Sequence, residues 1–183
     1  MIVGIDEVGR GAWAGPLLVV AAAGLPPKQV ADSKLLRRSQ REGMMKILQE
    51  SCTFGEGWVG PDEIDAVGLT EAMKLGVARA LDALQASDHD KIIMDGHINY
   101  CPPSFRNVST IIKADMTHPI VSAASVYAKV RRDTFMATLD DEHSNYGFGS
   151  HVGYGTAAHR TALQVLGVSR HHRRSYKPIK AFL

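Results

Sequence analysis

Cysteine is almost missing from this chain. Cys52 and Cys101 are the only two in 183 residues, too few for a disulfide framework and without the Cys-x-x-Cys spacing of a structural metal site. That scarcity suits a reducing, cytoplasmic setting. No apolar run approaches the ~20 residues of a membrane helix, so no membrane partner is expected. The start, Ile2-Val3-Gly4-Ile5 followed by acids, lacks the basic opening and longer apolar run of a signal peptide, and none is expected. Internal repeats, low-complexity tracts and long Gly/Ser linkers are absent. So is any Gly-rich phosphate loop of the dinucleotide or P-loop type, which removes the usual sequence signal of a nucleotide-binding domain. Acid is missing from His143 onward. That stretch carries Arg160, Arg170, Arg173, Arg174, Lys177 and Lys180 and no Asp or Glu, leaving fifteen basic against nineteen acidic residues before it. A basic end on a mildly acidic protein suits a polyanion partner, and a solvated charged tail is an equal alternative on charge alone.

What is present reads as one domain over 1–183, with a basic helical segment from about 142 to 183. Buried strands are expected at 2–6, 17–23, 53–59, 91–95 and 108–112. Asp32-Ser33 precedes a charged helix over roughly 38–50. Pro61-Asp62-Glu63 opens a short helical turn. Thr70 caps a helix in which Ala72, Leu75, Ala78, Leu81 and Leu84 recur at helical spacing. Pro119 opens a long helix to about Leu139 built on small residues. A Gly-rich loop at 147–155 and a helix near 156–166 follow. Strands alternating with helices give an α/β fold with a mixed sheet and helices packed on it.

Three of the strands deliver acid at or just after their C-terminal ends: Asp6-Glu7, Asp95 and Asp115. Singly, each is an ordinary turn-former. As a set they say more, because ligands in open α/β sheets gather at the carboxyl ends of strands. Carboxylates converging there repel one another unless cations lie between them. A cluster of oxygen donors without His or Cys points to Mg²⁺ or Mn²⁺ rather than zinc. Two such ions can activate a water and stabilise the leaving oxygen of a phosphodiester.

The run Asp6-Glu7-Val8-Gly9-Arg10-Gly11 resembles the N-terminal signature of type-2 ribonucleases H. Ala14-Gly15-Pro16, Asp32-Ser33-Lys34, Asp95-Gly96, Lys113-Ala114-Asp115 and the stretch from Ser122 to Val130 follow in the family's order. Tyr146-Gly147-Phe148, then His151 to Thr156, then His171 to Tyr176 resemble its C-terminal blocks. The similarity runs to about Pro178 and fits the bacterial ribonuclease HII branch. It implies a ribonuclease H-like fold, with a central mixed sheet flanked by helices and a small helical C-terminal part. It implies an endoribonuclease acting on RNA–DNA hybrids and on single ribonucleotides embedded in duplex DNA, leaving 5′-phosphate and 3′-hydroxyl ends, with a role in ribonucleotide removal. Asp6, Glu7, Asp95 and Asp115 match the four catalytic, metal-holding carboxylates, with two Mg²⁺ or Mn²⁺ ions expected during catalysis.

The same resemblance assigns Gly9, Arg10 and Gly11 to the loop that reads the 2′-hydroxyl through backbone groups. Glycine permits that close approach, and the 2′-hydroxyl separates RNA from DNA. Tyr154 matches a tyrosine that stacks on the next sugar. Lys34 and Lys129 match phosphate-facing positions, and Arg173 and Arg174 extend that track. Ala114, Ala12, Trp13, His97 and Tyr127 depart from the family's usual residues. Ser122 and Ser125, set among alanines, read as helix-packing residues. His171 and His172 read as surface residues of the basic tail, with a spacing that matches no zinc pair. The final five residues lack the glutamine and paired aromatics of a sliding-clamp peptide, and a monomer is expected. The alternatives are another nuclease of the same fold acting on DNA, and a hybrid-binding protein without catalysis.

Overall fold

The apolar strands assemble into one mixed five-stranded sheet. In the computed structural model, which describes residues 1–27, 30 and 37–183 and omits the side chain of Arg38, the strands are β1 (Ile2–Val8), β2 (Leu17–Gly24), β3 (Cys52–Val59), β4 (Lys91–Asp95) and β5 (Val108–Ile111), in the order β3-β2-β1-β4-β5. The first three form an antiparallel meander. β4 and β5 then add in parallel to β1. The carboxyl ends of β1, β4 and β5 therefore share one edge of the sheet.

β2 is buried on both sides. Leu17, Val19 and Ala21 face a core shared with α2 (Pro61–Leu84), where Met73, Val77 and Leu81 pack. Leu18, Val20 and Ala22 face α4 (Pro119–Glu142), together with Leu48 of α1 (Arg38–Ser51). Burial on both faces explains a continuous apolar run rather than an alternating one. Gly4 sets how closely α4 lies on β1. A Cβ there would stand 2.5 Å from the Ile120 backbone.

Two helical stretches expected separately, at Pro61 and from Thr70, abut as one element interrupted at Gly68, whose φ is +79°. The long helix from Pro119 is present and runs three residues past Leu139, to Glu142. The Gly-rich loop at 147–155 is not all loop: α5 (Phe148–His151) forms within it. α6 (Ala157–Leu166) follows, its N-terminus capped by the Thr156 hydroxyl, which accepts from the His159 amide. Between β5 and α4 lies one turn, α3 (Ala114–Thr117), and α7 (Lys177–Lys180) ends the chain. Asp32, Ser33 and Lys34 lie outside the described residues. Among the described residues no helix is long and apolar enough to cross a membrane.

Candidate active site

Strand alternation aims the first acid. Gly4 faces α4, so Asp6, two residues on, points to the same side. On β4, Ile93 packs in the α4-side core and Asp95 follows it two residues later. Ile5 pairs with Met94, so Asp6 and Asp95 each stand one residue beyond that pair, side by side on one face. Asp6 is buried, and burial pushes its carboxyl up to about 8. The charges of Glu7 and Asp95 add to the rise, while the Ser125 hydroxyl and the Glu7 amide oppose it. Glu7 is also raised, by burial first and by Asp95, against the pull of Arg10. The Arg10 guanidinium lies 3.7 Å from Glu7 and 3.4 Å from the Tyr100 hydroxyl.

Asp95 reaches across to the next strand's exit. Its Oδ1 accepts the Ala114 amide at 2.7 Å, which holds the turn that presents Asp115. Lys113 enters that turn with φ +60°. Asp115 is buried, and the Ser122 hydroxyl donates to its backbone carbonyl. Asp6, Glu7 and Asp95 are thus in electrostatic contact, and Asp115 adjoins the residue that Asp95 holds. Among the described residues no three His, Cys, Asp or Glu side chains close into a ready-made metal cage. The donors are all oxygen and come from three backbone segments. That suits an ion such as Mg²⁺, which keeps several waters and takes only one or two carboxylates directly.

α4 supports the site along one face. Ser122, Ser125, Lys129 and Arg132 recur at three- and four-residue intervals. Ser125 bonds Asp6, so the packing role expected of the two serines was incomplete. Their spacing toward Lys129 and Arg132 was the signal available in the sequence. Lys129 pairs with Asp133 at 2.7 Å. Arg132 is fully buried, with its guanidinium donating to the carbonyls of Pro16 (2.9 Å), Val152 (2.8 Å) and Ala14 (3.2 Å). It also lies 5.7 Å from the centre of the Tyr154 ring.

Arg132 therefore ties the loop after β1 to the loop that carries Tyr154. The Trp13 amide donates to the Gly153 carbonyl at 2.8 Å across the same seam. Gly9 has φ +86°, and Arg10 and Gly11 are exposed beside it. Among the described residues the Arg10 and Gly11 amides donate to no other group of the chain.

The C-terminal segment corrects two expectations. Arg173 does not extend a phosphate track: it is fully buried, and its guanidinium donates to the carbonyls of Gly15 (3.0 Å) and Arg10 (3.0 Å). A planar fork can serve several carbonyls at once, which a solvated tail residue would not need to do. His172 is not a surface residue either. It is buried, pairs in an antiparallel bridge with Ala14 and faces His159. Arg174 remains exposed.

A mixed sheet with acids gathered at the shared edge of its central strands, and an α4 that braces them, defines the class as ribonuclease H-like. The chain superposes on ribonuclease HII in the structure of the PCNA:RNase HII complex from Archaeoglobus fulgidus, with a TM-score of 0.81, 25% identity and coverage of 100% of this chain and 96% of that one. It superposes on ribonuclease H2 from Pyrococcus horikoshii with a TM-score of 0.75 and 24% identity, covering 99% and 96%. Bst-RNase HIII, in a crystal structure in complex with Mn²⁺, shares the fold at a TM-score of 0.75 and 21% identity, over 98% of this chain and 68% of that one. In sequence, Ribonuclease HII of Streptomyces avermitilis is 43% identical over 99% of this chain and 78% of its own length, and that of Jannaschia sp. is 39% identical over 100% and 92%. The Ribonuclease HII family model matches residues 3–179. The chain belongs to the ribonuclease HII family and is an endoribonuclease of the ribonuclease H type.

Proposed function

We propose that this enzyme hydrolyses RNA in RNA–DNA hybrids and cuts 5′ to single ribonucleotides embedded in duplex DNA, with Mg²⁺ or Mn²⁺, leaving 5′-phosphate and 3′-hydroxyl ends. The observation that carries this reading is the side-by-side placement of a buried Asp6 and a half-buried Asp95 at adjacent strand ends, with the exposed Arg10-Gly11 turn close behind Asp6 in the chain. Like charges so placed favour a bound cation. The Mn²⁺ complex of the related Bst-RNase HIII supports a divalent ion. Asp6, Glu7, Asp95 and Asp115 would hold it. Such an ion supplies positive charge against the scissile phosphate and lowers the pKa of a nearby water.

The chain's own groups do the recognising. The amides of Arg10 and Gly11, which donate to no group among the described residues, offer donors to a 2′-hydroxyl, and the absence of side-chain bulk at Gly11 lets a sugar approach. Tyr154, a third exposed, offers its ring to the following sugar. Lys129 stands one turn of α4 beyond Ser125 and contributes charge toward the phosphates; Lys34 is assigned the same role. Ile179, in the terminal segment compared above with a clamp peptide, is buried within α7, which supports a role in packing rather than clamp binding. The protein is read as a cytoplasmic monomer acting in ribonucleotide removal.

The test is cleavage of a labelled duplex carrying one ribonucleotide, beside an all-DNA duplex, with each metal and with chelator, for wild type and Asp95→Asn. One metal-dependent cut 5′ to the ribonucleotide, absent from the DNA control and lost in the variant, is the expected outcome. Equal cutting of both duplexes would assign the enzyme to the DNA nucleases of this fold. Binding without cutting would leave a hybrid-binding protein.

A further inference from the structure

Behind Tyr154 three imidazoles are buried: His151, His159 and His172, the last two 0% and 1% exposed. They pack around Phe148, and His151 stacks on His159 with ring centres 4.1 Å apart. Their protons can be placed from partners whose roles are fixed. The Ser169 backbone amide is an obligate donor and reaches His172 Nδ1 at 3.0 Å. His172 must therefore carry its proton on Nε2. That Nε2 faces His159 Nε2 at 3.0 Å, so His159 accepts there and carries its own proton on Nδ1. His159 Nδ1 lies 3.0 Å from the Tyr154 carbonyl, an obligate acceptor. Only one arrangement of protons satisfies the chain from end to end. His151 is fixed in the same way, with the Gly153 amide donating to its Nδ1 and its Nε2–H donating to the Tyr146 carbonyl.

We propose that His172 and His159 form a neutral imidazole relay that positions Tyr154, and that this relay sets the preference for a junction where DNA follows RNA. The proposal rests on the stacking role given to Tyr154 above. Tyr154 needs such support because it sits between Gly153, whose φ is +84°, and Gly155, where the backbone has little stiffness of its own. The Thr156 amide also donates to the Tyr154 carbonyl at 2.8 Å, so two donors fix that peptide plane. Burial lowers both His159 and His172 to about 4, which keeps the relay neutral near pH 7.

His159→Asn retains an N–H near the position of Nδ1, whereas His159→Leu fills the space without a donor. The readout is the ratio of kcat/KM on a single-ribonucleotide duplex to kcat/KM on a long RNA–DNA hybrid, measured on one preparation. Partial unfolding lowers both values alike and leaves the ratio unchanged. His159→Leu is expected to lower the ratio roughly tenfold, the equivalent of one lost hydrogen bond, as Tyr154→Ala does, while His159→Asn stays near wild type. A ratio lowered by Tyr154→Ala but unmoved by His159→Leu overturns the relay. A ratio unmoved by Tyr154→Ala overturns the stacking role, and the proposal with it. Should His159→Leu fail to fold, nitrogen-15 spectra of the wild type decide the matter: a proton on Nδ1 of His159 and on Nε2 of His172 supports the relay, and a proton on Nε2 of His159 overturns it.

Discussion

Asp6 and Asp95 stand side by side at the ends of two parallel strands, each one residue past the Ile5–Met94 pair. Asp95 has a second task, accepting the Ala114 amide. Asparagine keeps that acceptor and removes the charge. Asp95→Asn is therefore expected to lose at least roughly a hundredfold in cleavage, the scale of several kcal/mol of charge stabilisation. Its melting temperature in chelator should equal or exceed that of wild type, because a charge beside Asp6 is gone. A large fall in melting temperature would instead make Asp95 chiefly a structural cap.

Gly9 is held against a side chain that cannot move away. Its φ is +86°, and a Cβ there would lie 2.2 Å from Arg132 Nε, while three carbonyls pin that guanidinium. Gly9→Ala should cost about 2–4 kcal/mol through overpacking and backbone strain. Gly11→Ala, which meets nothing within 4 Å, should leave stability near wild type and lower cleavage of ribonucleotide substrates. Urea unfolding curves and cleavage rates check the pair.

Arg173 predicts a stability defect rather than a phosphate-binding defect. Arg173→Met removes this donor from the Gly15 carbonyl and leaves the Arg10 carbonyl to the Tyr176 hydroxyl, at a cost of about 3 kcal/mol. Lysine should not restore it, since an ammonium cannot reproduce the fork. The exposed Arg174 changed to Ala should scarcely move the unfolding midpoint. Denaturant titration of the three variants measures this.

The histidine cluster predicts acid sensitivity. His159 and His172 fall from an ordinary 6.5 to about 4 because burial disfavours their charged forms. Their contribution is fully present above pH 6.5 and is lost as pH falls from there toward 4, by at most about 3 kcal/mol for each ring. Asp6, raised to about 8, gives the opposite slope between about pH 4 and 8. Melting curves are therefore best recorded in an Asp6→Asn background. That protein should be steady from pH 6.5 to 8 and weaken below 6.5, and adding His159→Asn should reduce the fall.

The sheet was readable because β1, β2 and β4 hold apolar runs while β3 alternates buried with less buried positions, and β4 matched its expected span, Lys91 to Asp95. The acids were readable because each closes or follows such a run. Ser125 was harder to read. A serine among alanines has the size of a packing residue, and only the register of α4 against β1 turns its hydroxyl toward Asp6. The two stretches on either side of Gly68 were readable as separate helices, and what the local pattern hid was that they abut as one element, α2.

By itself, the sequence determined the α/β class, the strand-end acids and the glycines of the first loop, since alternation, helical spacing and turn chemistry are local properties of neighbouring residues. Tertiary structure alone decided the fate of Arg132, His159, His172 and Arg173. In sequence these are polar residues with nothing nearby to bury them. In the fold they meet backbone carbonyls and ring nitrogens up to 163 positions away, as Arg173 meets Arg10, and those partners make their burial tolerable.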